Sequence, residues 1–439
     1  MSESEATSSQ SSIQSGEDKM SKKRVLLSSI GSRGDVQPLL ALGCELRDLD
    51  CDIVICVPPN FKEWVESFGF EFVPIGVDVQ KAGSFSAAKK KTKPARADMK
   101  KLMHFTVVNQ FHSMSEAVRT CDLIVAAGDL NHAARSLAEV NNIPFIHAVY
   151  CPVSLESSAY PPPTLTWANH LYNLPRWCNC VLWMLAKRRW NGLFGAALNE
   201  QRELLNLPPI EDVPAYIRTS RPWLAFDSAL APVQKIPGVE LVQAGAWLLP
   251  NSEPLPAALE AFLAEGEAPI YFGYGSMRAG SGTGRIMVEA ARKLGYRAVL
   301  LKGWAGLEIE DSDKDCIVVD NVNHEQLFPR VAAIVHHGGA GTTTAAARAG
   351  KPQVIVPHLY DQFYWGHRVR QLGIGDMLGK INALTSEKLI AALRCCLQGN
   401  VVERAKIFAS NISQDGARVA AQHCKQLLAD VTQSNAIIT

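Results

Sequence analysis

Short apolar runs recur along the chain, each closed by glycine, proline or polar residues and followed by a segment with helical spacing. Arg24 to Ser29 reads as a strand, Gln37 to Leu49 as a helix and Asp52 to Val57 as a second strand, which together make one β-α-β unit. Further strands are predicted at Phe70 to Pro74, Leu123 to Ala126 and Phe145 to Ala148, with a helix from His132 to Val140. This alternation is that of a parallel sheet. It restarts at Pro269 to Tyr274 and continues through Arg297 to Leu301, Cys316 to Val319, Ala333 to Val335 and Val354 to Val356. The interval from Asp78 to Met114 and the Pro-rich stretch after Cys151 do not alternate, and are expected to decorate the cleft between the two sheets.

The predicted fold class is therefore α/β, with two doubly wound, Rossmann-like domains. Residues 1–22, rich in Ser, Gln and Glu, read as a disordered tail without the apolar core of a secretory signal. The first domain is placed at 23–235, a Pro-, Gly- and Ser-containing linker at 236–256 and the second domain at 257–404. A last helix is expected at 405–428 and a tail at 429–439.

Composition narrows the function classes. A chain of 439 residues, 47% hydrophobic, has enough material for two packed cores, and a formal net charge of +1 makes no electrostatic case for nucleic acid. Eleven cysteines are scattered, with only Cys178, Cys180 and the Cys395-Cys396 pair close together. Neither a disulfide framework nor a metal-ligand spacing results, so reduced thiols and a cytoplasmic protein are expected. No apolar run approaches the roughly 20 residues that span a bilayer. The segment Arg176 to Trp190, with three tryptophans and flanking basic residues, admits three readings: ordinary packing, the wall of an acceptor pocket, or peripheral membrane contact. The lysines at 89, 90, 91 and 93 read as a solvated loop, and so do Asp311, Asp313 and Asp315 in DSDKD, which leaves the metal sites at none.

The densest chemistry lies between His336 and Gly366. An apolar strand ends in two histidines, followed by Gly338, Gly339 and Gly341 and an alanine-rich helix beginning near Thr342. Glycines permit close backbone approach, and a helix start offers unpaired N–H groups and a positive dipole end to a phosphate. His337, Thr342 and Thr343 add side-chain donors. After Gly350-Lys351-Pro352 the run Gln353 to Val356 reads as a buried parallel strand, and the loop beyond it carries Asp361 and Gln362. Open α/β sheets bind ligands at such strand ends, where both residues can grip sugar hydroxyls; Asp361 can equally cap the helix that follows.

HHGGAGTT followed by AGKPQVIVP and DQFYWG resembles the donor signature of the UDP-glycosyltransferase superfamily. The branch that fits contains sterol glucosyltransferases and the bacterial enzymes that glycosylate vancomycin-type antibiotics. Ser29 to Pro38, SIGSRGDVQP, resembles that branch's first loop. Between the two lie Cys151-Pro152, Tyr160 to Pro163, Arg221 to Trp223, Gly245 to Trp247, Gly273 to Ser276 and Lys302 to Trp304, in the order the branch shows them. The likeness runs from about Lys23 to about Leu428.

The resemblance implies a GT-B fold, with two facing domains, acceptor mainly on the first and nucleotide-sugar donor on the second, and the last helix crossing back. It implies an inverting hexosyltransferase, moving glucose or another hexose from a UDP- or TDP-sugar to a hydroxyl of a hydrophobic natural product, antibiotic aglycone or sterol-like lipid. In that reading Asp35 is the general base, and Gly34 just before it is one of the donor-binding residues, with Asn321 and Val322 among the others. A carboxylate with a reference pKa of about 3.9 accepts the hydroxyl proton only as attack proceeds; without the resemblance it reads as a helix cap. Asp129 assists Asp35, contacts acceptor, or caps a helix. Ser276, His337, Gly339, Gly341, Thr342 and Thr343 surround the diphosphate, and Asp361 and Gln362 hold the sugar. Helix-end donors neutralise the diphosphate, so no metal or other cofactor is required. Three positions depart from many plant relatives: Asp35 stands for their histidine, Asn321 and Val322 for a tryptophan facing the base, and Ala345 for a ribose-binding glutamate. Phe61, Phe85, Phe105, Phe111, Tyr150, Tyr160 and Trp167 are candidates for the acceptor pocket.

Two other classes fit two Rossmann-like halves. An NAD-linked oxidoreductase or epimerase would need G-x-G-x-x-G with an acidic residue about 20 positions on, which neither half shows. A non-enzymatic lipid- or glycan-binding module would not need both motif sets intact.

Overall fold

A computed structural model describes residues 22–79, 96–280, 282–304, 306–307 and 314–438. The expected tail up to residue 21, the 89–93 lysine cluster, Phe85, Asp311 and Asp313 lie outside the described residues.

The first sheet comprises β1 (Lys23–Ser29), β2 (Cys51–Val57), β3 (Glu71–Pro74), β4 (Leu123–Ala127), β5 (Phe145–Val149), β6 (Trp223–Leu224) and β7 (Val242–Gln243), in the order β3-β2-β1-β4-β5-β6-β7. Every pairing is parallel. Val25 and Leu27 enter one apolar cluster and Leu26 the other, all fully buried. Both faces are covered, which is why these strands read as continuous apolar runs. The second sheet comprises β8 (Ile270–Gly273), β9 (Ala298–Leu301), β10 (Cys316–Val319), β11 (Ala333–His336), β12 (Gln353–Ile355) and β13 (Gly375–Met377), in the order β10-β9-β8-β11-β12-β13, again all parallel. Strand order reverses beside β1 in one sheet and β8 in the other, which creates a crevice at the carboxyl ends of β1 and β4 and of β8 and β11.

Four segments differ from the sequence expectation. Arg96–Val118, within the interval read as irregular, is a 23-residue helix. Its Val107, Phe111, Met114 and Val118 recur at helical spacing and pack under Leu26, Val54 and Ile124 with Phe194 and Leu198 of the helix Arg176–Leu204. β7 falls inside the expected linker, yet it pairs with β6, and Ala244 and Trp247 join the first core, so the chain leaves the first domain after Trp247. The helix Arg33–Asp48 starts one turn before Gln37, at the Ser32 cap. The final helix runs Gly416–Ile438 and not 405–428, through the segment expected as a tail. Its Ala417, Ala420, Ala421, Cys424 and Leu428 pack in the first-domain core with Leu39 and Leu42, so the crossing back to the first domain is made by this helix.

Candidate active site

β1 delivers the chain to the crevice of the first sheet, and the turn Ile30 to Ser32 feeds the helix Arg33–Asp48. Asp35 is the third residue of that helix, not its N-cap. Ser32 takes the cap position, and its N–H and hydroxyl both donate to Asp35 Oδ2, at 2.7 and 3.1 Å. Oδ2 thus ties the first turn from the third helical position. Burial raises the Asp35 pKa above the ordinary carboxylate value, and the Ser32 bonds partly oppose that rise. The carboxylate folds so closely over Gly31 that a Cβ there would lie 2.2 Å from Oδ2. Tyr150 donates its hydroxyl to the Asp35 carbonyl at 3.2 Å and steadies the same turn.

In the second domain β11 ends at His336, and the helix Ala340–Arg348 begins after Gly338 and Gly339. This start is two residues earlier than expected. The two histidines have different jobs. His336 is fully buried, receives the Gly338 N–H on Nδ1 at 3.1 Å and contacts Gln353 Oε1 through Nε2 at 2.9 Å, so it locks the turn. Burial lowers its pKa to about 4, which keeps it neutral. His337 faces the turn; burial and then the neighbouring histidines hold its pKa well below the usual range. Its Nδ1 and the Tyr274 hydroxyl are buried without a partner among the described residues, the tyrosine within the second-domain core. Gly339 must lack a side chain, because a Cβ would sit 2.5 Å from His337 Nε2.

Thr343 does not face a ligand. It is fully buried and its hydroxyl donates to Gly339 O within its own helix at 2.9 Å. Thr342 is half-buried and Gly341 exposed, and their N–H groups are among those a helix start leaves without intrahelical acceptors. Ser276 is half-buried on the loop after β8, Asn321 is exposed after β10, and Val322 is partly buried against Val319 and Leu327.

Asp361 occupies the N-cap position of the helix Gln362–Leu372, but its carboxylate makes no capping bond; Oδ2 accepts from the Trp365 indole at 3.0 Å. Burial, with a further push from the Asp35 charge, raises its pKa to about 7. Gln362 spends Oε1 on the N–H groups of His358 and Leu359, at 2.7 and 3.0 Å, which shapes the loop that presents Asp361.

Asp129 neither caps a helix, since the helix Ala134–Val140 is capped at Ala133, nor bonds Asp35. It receives the hydroxyl of Tyr360 from the opposite domain at 2.7 Å, with Arg218 Nε at 3.8 Å from its other oxygen. Tyr360 and Arg218 were not legible as site residues. The nearest signal is Tyr360's place beside Asp361. A cavity of about 60 Å³ opens next to Asp129, lined by Ser154, Trp183, Trp190 and Arg218. Of the aromatics considered for an acceptor pocket, Phe111 is core; Phe61 stacks on Trp304 across the domains at 6.3 Å; Tyr160 meets Tyr364 edge-on at 5.4 Å; Phe105 and Trp167 point outward. Asp315 is held by Arg292 through two bonds of 2.7 Å, and no cluster fit for a metal occurs among the described residues.

Two parallel-sheet α/β domains with catalytic-type groups converging from both define the GT-B class of glycosyltransferase. A model of the glycosyltransferase family 28 N-terminal domain matches residues 25–159, and one of the erythromycin biosynthesis protein CIII-like C-terminal domain matches residues 308–427. Vancomycin aglycone glucosyltransferase of Amycolatopsis orientalis is 39% identical over 405 residues, which cover 91% of this chain and 96% of that one. A sterol 3-beta-glucosyltransferase of Arabidopsis thaliana is 28% identical over 413 residues, 89% of this chain and 63% of the plant protein. The crystal structure of the glycotransferase of kitacinnamycin superposes with a TM-score of 0.68 at 19% identity, covering 92% of this chain and 99% of that one. The chain belongs to the vancomycin-type glycosyltransferase family and is a hexosyltransferase. The oxidoreductase, epimerase and non-enzymatic readings give way to that assignment.

Proposed function

We propose that the enzyme transfers a hexose, glucose first, from a UDP-sugar to a hydroxyl of a hydrophobic acceptor of the antibiotic-aglycone or sterol-like kind, with inversion at the anomeric carbon. The observation that carries this reading is a contact across the cleft: Tyr360 of the second domain, next to Asp361, donates its hydroxyl to Asp129 of the first domain at 2.7 Å, so the loop after β12 faces the sheet edge at which Asp35 follows β1. In the proposed step the acceptor oxygen forms a bond to the anomeric carbon as its proton passes to Asp35 Oδ1. The bond from that carbon to the diphosphate breaks, and its electron pair stays on the phosphate oxygen. The N–H groups at the start of the helix Ala340–Arg348, with His337, Thr342 and Ser276, meet the charge that grows there. Asp361 and the Gln362 amide hold sugar hydroxyls. Asn321 and Val322 lie where the base would rest. One displacement inverts the carbon, and no enzyme nucleophile is needed.

The glucosyl preference and the acceptor class are supported by what the names of the relatives say of those proteins, an aglycone in one case and a sterol in the other. Incubation with UDP- and TDP-sugars and a panel of glycopeptide aglycones and sterols, read by mass, tests it. A gain of one hexose with a β-anomeric coupling from a UDP-α-sugar is the expected product. Transfer from TDP-sugars alone, or retention of the anomeric configuration, would contradict it.

A further inference from the structure

Four large apolar side chains stand exposed in a single stripe on the helix Arg176–Leu204: Trp177 at 69%, Val181 at 42%, Met184 at 45% and Leu185 at 43%. At about 100° per residue they fall within an arc of about 100°, and Arg188 continues the same arc. The opposite side of the helix is used for packing, with Asn179, Leu182, Trp183 and Ala186 buried. The loop with Leu165 and Ala168 covers Leu182 and Ala186 on that packed side and leaves the stripe open. Scattered apolar residues on a surface need no explanation, but a contiguous group of this size marks an interaction surface.

Charge identifies the partner. From Arg176 to Asn199 the helix has no acidic residue and four basic ones, in a chain whose net charge is only +1. Lys187 is paired with Asp212, whereas Arg176, Arg188 and Arg189 are exposed beside the stripe. A second copy is a poor occupant, because a two-fold contact lays the patch on itself and sets these arginines against their counterparts. Tryptophans that straddle apolar and wet surroundings, with arginines at the margin, match the head-group zone of an anionic bilayer. No described helix is long and apolar enough to cross a membrane, so the contact is peripheral.

We propose that this face docks the enzyme on an anionic lipid surface. The helix lies in the plane of the interface, with Trp177, Val181 and Leu185 among the acyl-chain margins and the three arginines on lipid phosphates.

The test is flotation of the full chain with vesicles of phosphatidylcholine alone and of phosphatidylcholine with phosphatidylglycerol, alongside tryptophan fluorescence. Binding is expected only with the anionic lipid, with a blue shift, and weakening as salt is added. Arg188→Gln with Arg189→Gln should lower the partition coefficient by about five-fold per arginine. Trp177→Ser with Leu185→Gln should remove binding, while an unchanged thermal midpoint shows that these exposed residues are not needed for folding. The proposal fails if the parent ignores anionic vesicles or if both variants float as it does. It fails equally if the parent sediments as a dimer that the Trp177→Ser, Leu185→Gln variant converts to monomer.

Discussion

Tyr360 and Asp129, 231 positions apart, meet across the cleft, the tyrosine hydroxyl donating to Asp129 Oδ2 at 2.7 Å. Tyr360 holds a left-handed backbone at φ 55°, unusual for a side-chain-bearing residue and a cost of about 1–3 kcal/mol. The next residue is Asp361. The bond therefore registers the loop that carries Asp361 against the other domain, and the strained backbone is kept by the contact. Tyr360→Phe removes only the hydroxyl. A bond to a charged group is worth about 1.5–3 kcal/mol, so kcat/KM should fall at least ten-fold, with the Kd for free UDP little changed. Steady-state kinetics beside calorimetric UDP binding measures both.

Gly31 has no room for a side chain because Asp35 occupies the space, 2.2 Å from where a Cβ would lie. Gly31→Ala should fold and displace the carboxylate. A misplacement of about 1 Å can cost 100-fold, so transfer should fall by that order while the melting temperature moves by a few degrees at most.

At the other wall, Gly339→Ala puts a Cβ 2.5 Å from His337 Nε2 and should push the imidazole out of the turn. The expected effect is on the donor: weaker nucleotide binding, by about ten-fold for one lost donor to a charged group, with acceptor affinity unchanged. Titration calorimetry with UDP reads it directly.

Two pH effects have opposite signs. Asp35 accepts a proton only when ionised, and burial raises its pKa, so kcat/KM should fall on acidification through a value above the ordinary carboxylate range. Asp361, raised to about 7, holds its proton more tightly folded than unfolded, so its stability contribution is greatest below the unfolded carboxylate pKa and is lost as pH rises towards 7. Asp361→Asn keeps the shape without the charge. It should melt higher than the parent at pH 8 and lose that advantage at pH 5.

Much of this arrangement was legible because parallel strands buried on both faces leave unbroken apolar runs: β1, β4 and β11 were placed to within one residue. β6 and β7, two residues each, and β13, with Asp376 at its centre, are too short and too polar to stand out. The turn at Gly338 was readable as an anion cradle, but the roles of its members were not. That His336 serves the loop depends on Gln353, 17 positions on, and that Thr343 turns inward depends on the helix starting at Ala340. Asp35 read as a cap because it does tie the first turn, although from the third helical position and through its bonds to Ser32. The Tyr360 contact joins two domains, and no local pattern encodes a pairing of that separation.

In the proposed transfer Asp35 receives the acceptor proton at a site whose donor half is independent of it. Asp35→Asn preserves size and the contact with Ser32, so UDP binding and transfer should be measured on the same preparation. The account predicts unchanged UDP affinity with transfer reduced by about 10²–10⁴-fold. Transfer within a few-fold of the parent, with UDP bound normally, would contradict it.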